Sequence, residues 1–137
     1  MESNYLSLLG LAKRAGELEV GDEAARAAIS AGKVRLVLCA SDASDRTRET
    51  FSFITESAGI AFISVPETKE EIGNALGRRP AATIAVCDIG FAVALSKKLA
   101  ERLPDAKECA EKLSERAQKI AKRKKSGKQK KKTNRRI

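Results

Sequence analysis

Four short apolar runs, each bounded by glycine or polar residues and each separated from the next by a helix-periodic stretch, constrain this chain more than any other feature. They cover residues 17–20, 34–39, 60–65 and 81–87. The second run (Val34, Leu36, Val37, Leu38, Cys39) and the last (through Ile84, Val86 and Cys87) are apolar almost without interruption, as expected of strands covered on both faces. Helix and strand alternate with connections of a few residues. That pattern predicts an α/β fold: a three-layer α/β/α sandwich around a mixed, partly parallel sheet of about four strands.

Local signals punctuate the helices. In residues 4–15, Leu6, Leu9 and Ala12 share a face with Leu8 and Leu11 alongside, and Gly16 stops the helix. Gly21 suits a sharp turn into the next helix, Asp22 is read as its N-cap, and the charges of Asp22 and Glu23 complement the first turn. Ala24, Ala25, Ala27 and Ala28 are small enough for close packing, and Gly32 fits the left-handed position past the end. Residues 42–58 read as a helix with Phe51, Ile54 and Ala58 inward, ended by Gly59. Thr68 and Glu71 form a capping box for a helix with Ile72, Ala75 and Leu76 inside; Gly73 within it signals a close approach. Residues 91–103 carry Ala94, Leu95 and Leu99 before Pro104 breaks the pattern. The predicted division is a domain over 1–103, a helix over 104–120 with Ala106, Cys109, Leu113, Ala117 and Ile120 recurring, and a basic tail over 121–137. Low-complexity and almost free of apolar residues, that tail is expected to be disordered in isolation.

Composition excludes several classes. The chain has no His and no Trp, so the commonest general base and metal ligand is missing and the core must be aliphatic. Cys39, Cys87 and Cys109 form no CxxC pair, and two of them sit in strand-like runs, where a small buried thiol is expected. No run approaches the roughly 20 apolar residues of a membrane span, and Glu2 stands where a signal peptide is basic. A soluble, cytoplasmic protein without cofactor or membrane partner is expected. The net charge of +9 is uneven. Residues 116–137 hold 12 Lys+Arg and no acid, so residues 1–115 carry 27 − 12 = 15 bases against 18 acids, a net of −3.

Three stretches are candidate nucleic-acid contacts. The tail offers Lys122, Arg123, Lys124, Lys125, Lys128, Lys130, Lys131, Lys132, Arg135 and Arg136, which suit phosphate binding by counterion release with little sequence preference. A solubility tail is the alternative. At the helix start, Gly21, Asp22 and Glu23 can present a carboxylate to base-edge N–H groups, with Arg26, Lys33 or Arg35 offsetting repulsion from phosphates. Simple capping also explains those acids. Arg78, Arg79, Pro80 and Ala81 form a compact basic loop suited to phosphate contact or base stacking. An enzymatic alternative places Mg²⁺ between Asp42 and Asp88, each of which follows an apolar strand.

The order of motifs resembles the ribosomal protein L-seven-Ae family of kink-turn RNA binders, its small bacterial YlxQ-like branch in particular. The resemblance rests on LLGLAKRAGELEVG, AISAGKVRLVLCASDAS, VPETKEEIGNALG and ATIAVCDIGFA, and covers roughly residues 5–103. It implies a three-layer α/β/α fold, no catalysis, and binding to structured RNA, ribosomal or other, at internal loops with tandem sheared G·A pairs. The ribosome is then a candidate partner, and a protein-interaction role there is the alternative. In the family, the helix after the glycine begins Gly-x-Asn-Glu-x-x-Lys and reads the guanines. Gly21 matches the glycine, while Glu23 falls at the Asn position, Ala24 at the Glu and Ala27 at the Lys. The loop of Arg78, Arg79, Pro80 and Ala81 matches the family loop that packs on an extruded nucleotide, and is more basic here.

Overall fold

The computed structural model describes residues 4–135, with side-chain surroundings for residues 5–124. Within it the elements follow as α1 (Asn4–Arg14), β1 (Leu18–Val20), α2 (Asp22–Ser30), β2 (Leu36–Cys39), α3 (Asp45–Ala58), β3 (Ala61–Ser64), α4 (Lys69–Leu76), β4 (Thr83–Val86), α5 (Ile89–Ala100) and α6 (Ala106–Arg135). The strands form one sheet in the order β1-β4-β2-β3. Strands β2 and β3 are parallel, and β4 runs antiparallel to both of its neighbours, β1 and β2.

Alternation along the strands builds the three layers. Leu36 and Leu38 of β2 and Ile84 and Val86 of β4 join Leu9, Ile72, Leu95, Leu99 and Leu113 in one core, beneath α1, α4, α5 and the start of α6. Val37 and Ala85 point the other way, against Ala25 and Ala28 of α2 and Phe51 of α3. The alanines let α2 lie close to the sheet, and Phe51 fills the space left beside it. Each fully buried large side chain contributes about 1.5–3 kcal/mol through the area it removes from water.

Most element boundaries fall within a few residues of those read from the sequence, and three differences have physical causes. Helix α3 begins at Asp45 rather than Asp42, because Ser44 caps it by accepting from the Thr47 N–H. Its inward face holds Phe51 and Thr55, whereas Ala58 is exposed; the Thr55 hydroxyl is satisfied by donating to the Phe51 carbonyl at 2.7 Å. Helix α6 does not stop near Ile120, and its backbone continues to Arg135. Burial does stop there: Ala106, Ala110 and Leu113 are buried, Ala117 and Ile120 are half-buried, and residues 121–124 are exposed. Lys, Arg and Gln are good helix formers, so a helix nucleated on the packed segment can propagate through them.

All three thiols are free. Burial pushes the pKa of each above the ordinary thiol value, which keeps them protonated and unreactive near neutral pH.

Tyr5 ties α1 to the loop between β3 and α4. It is 3% exposed, donates to Glu67 Oε1 at 2.6 Å, and Glu67 accepts in turn from Arg102 at 3.1 Å. Burial, then the Glu67 hydrogen bond and charge, push the phenol far above its ordinary pKa of 10.0. A folded-state pKa above the unfolded one means the contribution is intact below about pH 10 and drains away as pH rises beyond it. Tyr5 is the single tyrosine, so tyrosinate absorbance reports it alone. The expected result is no ionisation near pH 10 until the protein unfolds, and a shallower alkaline loss of stability in Tyr5→Phe. Ordinary titration in the folded protein would contradict the network.

Candidate nucleic-acid interface

Register decides which candidate residues share a surface. Val20 pairs with Ile84 and Cys39 pairs with Thr83, so the end of β1, the end of β2 and the start of β4 emerge at one edge of the sheet. Two hydrogen bonds close it: Gly21 N–H donates to the Thr83 carbonyl at 2.8 Å, and Ala40 N–H to the Ala82 carbonyl at 2.8 Å.

Gly21 is the N-cap of α2, with φ 103° and ψ 158°. Only glycine adopts that conformation without strain. Asp22 is therefore the first helical residue and not the cap expected from the sequence. Its carboxylate instead accepts from the buried Thr83 hydroxyl at 2.8 Å, pinning the helix start to β4. No side chain caps α2, in contrast with α3, α4 and α5, which Ser44, Thr68 and Asp88 cap. The first-turn N–H groups of α2 keep the electropositive character of an uncapped helix start. The exposed Glu23 carboxylate stands beside them.

The loop between α4 and β4 reaches the same place. Arg78 Nη1 lies 3.4 Å from the Val20 carbonyl, immediately before Gly21. Its backbone N–H donates to the Gly73 carbonyl at 2.9 Å, and Ala81 N–H donates to the Lys69 carbonyl at 3.1 Å. Arg79 and Pro80 are exposed at the tip while Ala81 is buried. The loop crosses α4 so closely that a Cβ on Gly73 would stand 2.6 Å from the Arg79 carbonyl oxygen. This is the close approach that Gly73 signals within its helix pattern.

Two further side chains hold this edge, and sequence reasoning missed both roles. Asp42 Oδ1 accepts from Lys69 N–H at 2.8 Å, so it serves the start of α4 rather than that of α3. Arg48 donates to the Ala40 and Ser41 carbonyls at 3.2 and 3.0 Å. Asp42 reaches a partner 27 residues on, while Arg48 turns back from α3 to the loop before it, and no cap or helix spacing announces either contact.

Arg26 sits with its guanidinium 5.8 Å from the centroid of the Phe51 ring, a cation–π distance. It is held at the seam with α3 and does not replace a basic side chain at Ala27. Lys33 and Arg35 belong elsewhere. They precede β2, whose Leu36 pairs with Val86, and so lie at the opposite edge of the sheet. Helix α2 alone puts Ser30 about 12 Å along its axis from Asp22, and Lys33 lies beyond its end, too far to offset phosphate charge at Gly21. In the tail, Lys122, Arg123 and Lys124 are exposed. Lys125, Lys128, Lys130, Lys131, Lys132 and Arg135 belong to the helical backbone of α6, with side chains outside the described set, and Arg136 is outside the described residues.

The paired-aspartate reading fails on the same register. Strands β2 and β4 are antiparallel, so Asp42 and Asp88 follow them at opposite ends and cannot share an ion. Each accepts a helix N–H, Asp88 from Phe91 at 2.9 Å. Among the described residues no group of three or more His, Cys, Asp and Glu is placed to hold a metal, and no helix is long and apolar enough to cross a membrane.

The sequence profile of the ribosomal protein L7Ae/L30e/S12e/Gadd45 family matches residues 3–96. The chain belongs to this family. The match spans α1 to α5, the whole sheet and both halves of the edge just described, and makes this a chain of the ribosomal, RNA-binding type. A solved structure, described as that of a protein with unknown function from Bacillus halodurans C, is 35% identical, with a TM-score of 0.68. The similarity covers 72% of this chain and 98% of that one. No curated protein sequence matches the chain. The family match ends at residue 96, short of α6 and the basic extension.

Proposed function

We propose that this is a non-enzymatic, ribosome-associated RNA-binding protein of the cytoplasm that holds kinked internal loops against the sheet edge at Gly21. The observation that carries the reading is the convergence of the uncapped α2 start with the loop through Arg78, Arg79, Pro80 and Ala81. Arg78 bridges the two at the Val20 carbonyl. In this reading Asp22 positions the helix through Thr83, leaving Glu23 to accept from guanine N–H groups. Arg79 and Pro80 lie against the displaced nucleotide or its phosphate, and the cations beyond Ile120 add affinity that is indifferent to sequence.

The test compares two RNAs that differ only in the internal loop, one with tandem G·A pairs and one with Watson–Crick pairs in their place. Preference for the first is expected, and Glu23→Ala should lose about 1–3 kcal/mol of that discrimination while leaving affinity for the second unchanged. Equal affinity of the intact protein for both RNAs would overturn the proposal.

A further inference from the structure

The strongest feature outside the Gly21 edge is a cationic groove on the other side of the molecule. Strand β3 is the outer strand of the sheet next to β2, and α6 lies along it, with Leu113 buried and Cys109 Sγ 4.0 Å from the Phe62 carbonyl. Between α6, the end of α3 and β3 is a groove of about 560 Å³. Phe62 and Cys109 contribute its apolar lining, Arg35, Lys112 and Arg116 its cations, and Glu56 its acid. Lys112 also pairs with Glu108 at 3.5 Å, an exposed pair of little energetic consequence. Arg35 and Arg116 have no ion-pair partner among the described residues.

The cations do not end at the groove. Lys112, Arg116, Lys119 and Arg123 are spaced by four, three and four residues, which aligns them on one face of α6. All four are exposed, and the line extends about 16 Å along the axis. Two acids flank the row, Glu108 paired with Lys112 and Glu115 one turn before Lys119, and Glu111 lies with Glu115 over a recess shared with Lys97 of α5 and Lys107 of α6; the cations outnumber these acids along the face. A compact anion seated in the groove would leave Lys119 and Arg123 unused. A row of cations with an open, half-apolar end fits an extended polyanion.

We propose that Arg35, Lys112 and Arg116, continued by Lys119 and Arg123, form a second RNA-contact surface that grips the phosphate backbone of a duplex segment. Arg35 stands before β2 and Ala40 after it, so the two surfaces are separated by the sheet, about 17 Å along the strand. One molecule can then hold a kinked loop at one edge and a neighbouring helix at the other. The groove has only the nature of its ligand in common with the proposed function, and stands without the kinked-loop reading.

The test uses the full chain, an immobilised kinked RNA and a labelled plain RNA duplex with no internal loop. Retention of the duplex while the kinked RNA is saturating is expected. In the Arg35→Gln/Arg116→Gln double variant, the logarithmic salt slope for duplex binding should fall by about two units, one per lost phosphate contact. Affinity for the kinked RNA should stay within about twofold, since both residues lie outside its surface. Displacement of the duplex by the kinked RNA, or an unchanged slope in the variant, overturns the second surface. If Arg35→Gln disturbs folding, Lys119→Gln/Arg123→Gln decides, because both side chains are exposed and an unaltered slope there is equally fatal. Should the kinked RNA fail to bind at all, the slope for duplex binding still decides whether the groove holds phosphate.

Discussion

Cutting the chain after Ile120 is expected to flatten the salt dependence of RNA binding by about four to five logarithmic units while leaving the fold in place. The cut removes ten Lys+Arg and no acid. If about six of the ten sit on phosphates, and each releases most of one counterion, the slope changes by that amount. Over a fourfold rise in salt the intact protein then loses about 500-fold more affinity than the truncated one. The position of the cut matters. Ending at Glu115 would also remove Arg116, Ala117 and Ile120, the first a wall of the cationic groove and the other two half-buried. Beyond Ile120 the described side chains, residues 121–124, are all exposed, so a fall in melting temperature is not expected. Filter binding at several salt concentrations, on RNAs with and without a kinked loop, measures the slope directly. An unchanged slope would show that the extension makes no phosphate contact and that the body, with 17 bases against 18 acids over residues 1–120, binds through its local surfaces alone.

The pattern of a nearly neutral body and a cationic extension was legible in the sequence because charge needs no fold to be counted. The strands were legible for a related reason. Both faces of the sheet are covered, so β2 and β4 are written as unbroken apolar runs. The Thr68–Glu71 capping box was also legible, since both partners lie within one turn. What the sequence did not disclose is the order of the sheet. Nothing in the spacing of four runs says that β4 inserts between β1 and β2, antiparallel to both. That single fact parts Asp42 from Asp88, and Lys33 and Arg35 from Gly21. Side chains that serve distant partners were hidden in the same way. Asp22 meets Thr83 across 61 residues and Asp42 meets Lys69 across 27; each looked like a local cap because a local cap is what an aspartate beside a helix start ordinarily makes. In both cases the residue type was informative and its partner was not.

Gly73→Ala is expected to be the most damaging single-atom change in the domain and to act on RNA discrimination as well as on stability. The added Cβ would lie 2.6 Å from the Arg79 oxygen, 2.8 Å from the Arg79 carbonyl carbon and 2.9 Å from Pro80 Cα. These are backbone atoms and cannot rotate out of the way. Alanine is otherwise the better helix residue by about 1 kcal/mol, so the helix itself gains and any loss must come from the loop. Relief requires α4 and the loop to part by several tenths of an ångström, which strains the Arg78-to-Gly73 and Ala81-to-Lys69 backbone hydrogen bonds. A net cost of about 1–3 kcal/mol follows from overpacking of this kind. The loop carries Arg78 toward Val20 and Gly21, so displacing it should also remove preference for the kinked RNA while sparing the nonspecific, salt-sensitive binding of the extension. Gly77→Ala supplies the contrast: no atom lies within 4 Å of its added Cβ, but its φ of +67° strains any side chain, so it should cost stability without moving the loop. Urea unfolding paired with the two-RNA comparison separates these outcomes. A Gly73→Ala protein of undiminished stability and intact discrimination would mean that the loop is not pressed against α4 in solution, and the surface at Gly21 would lose the element that completes it.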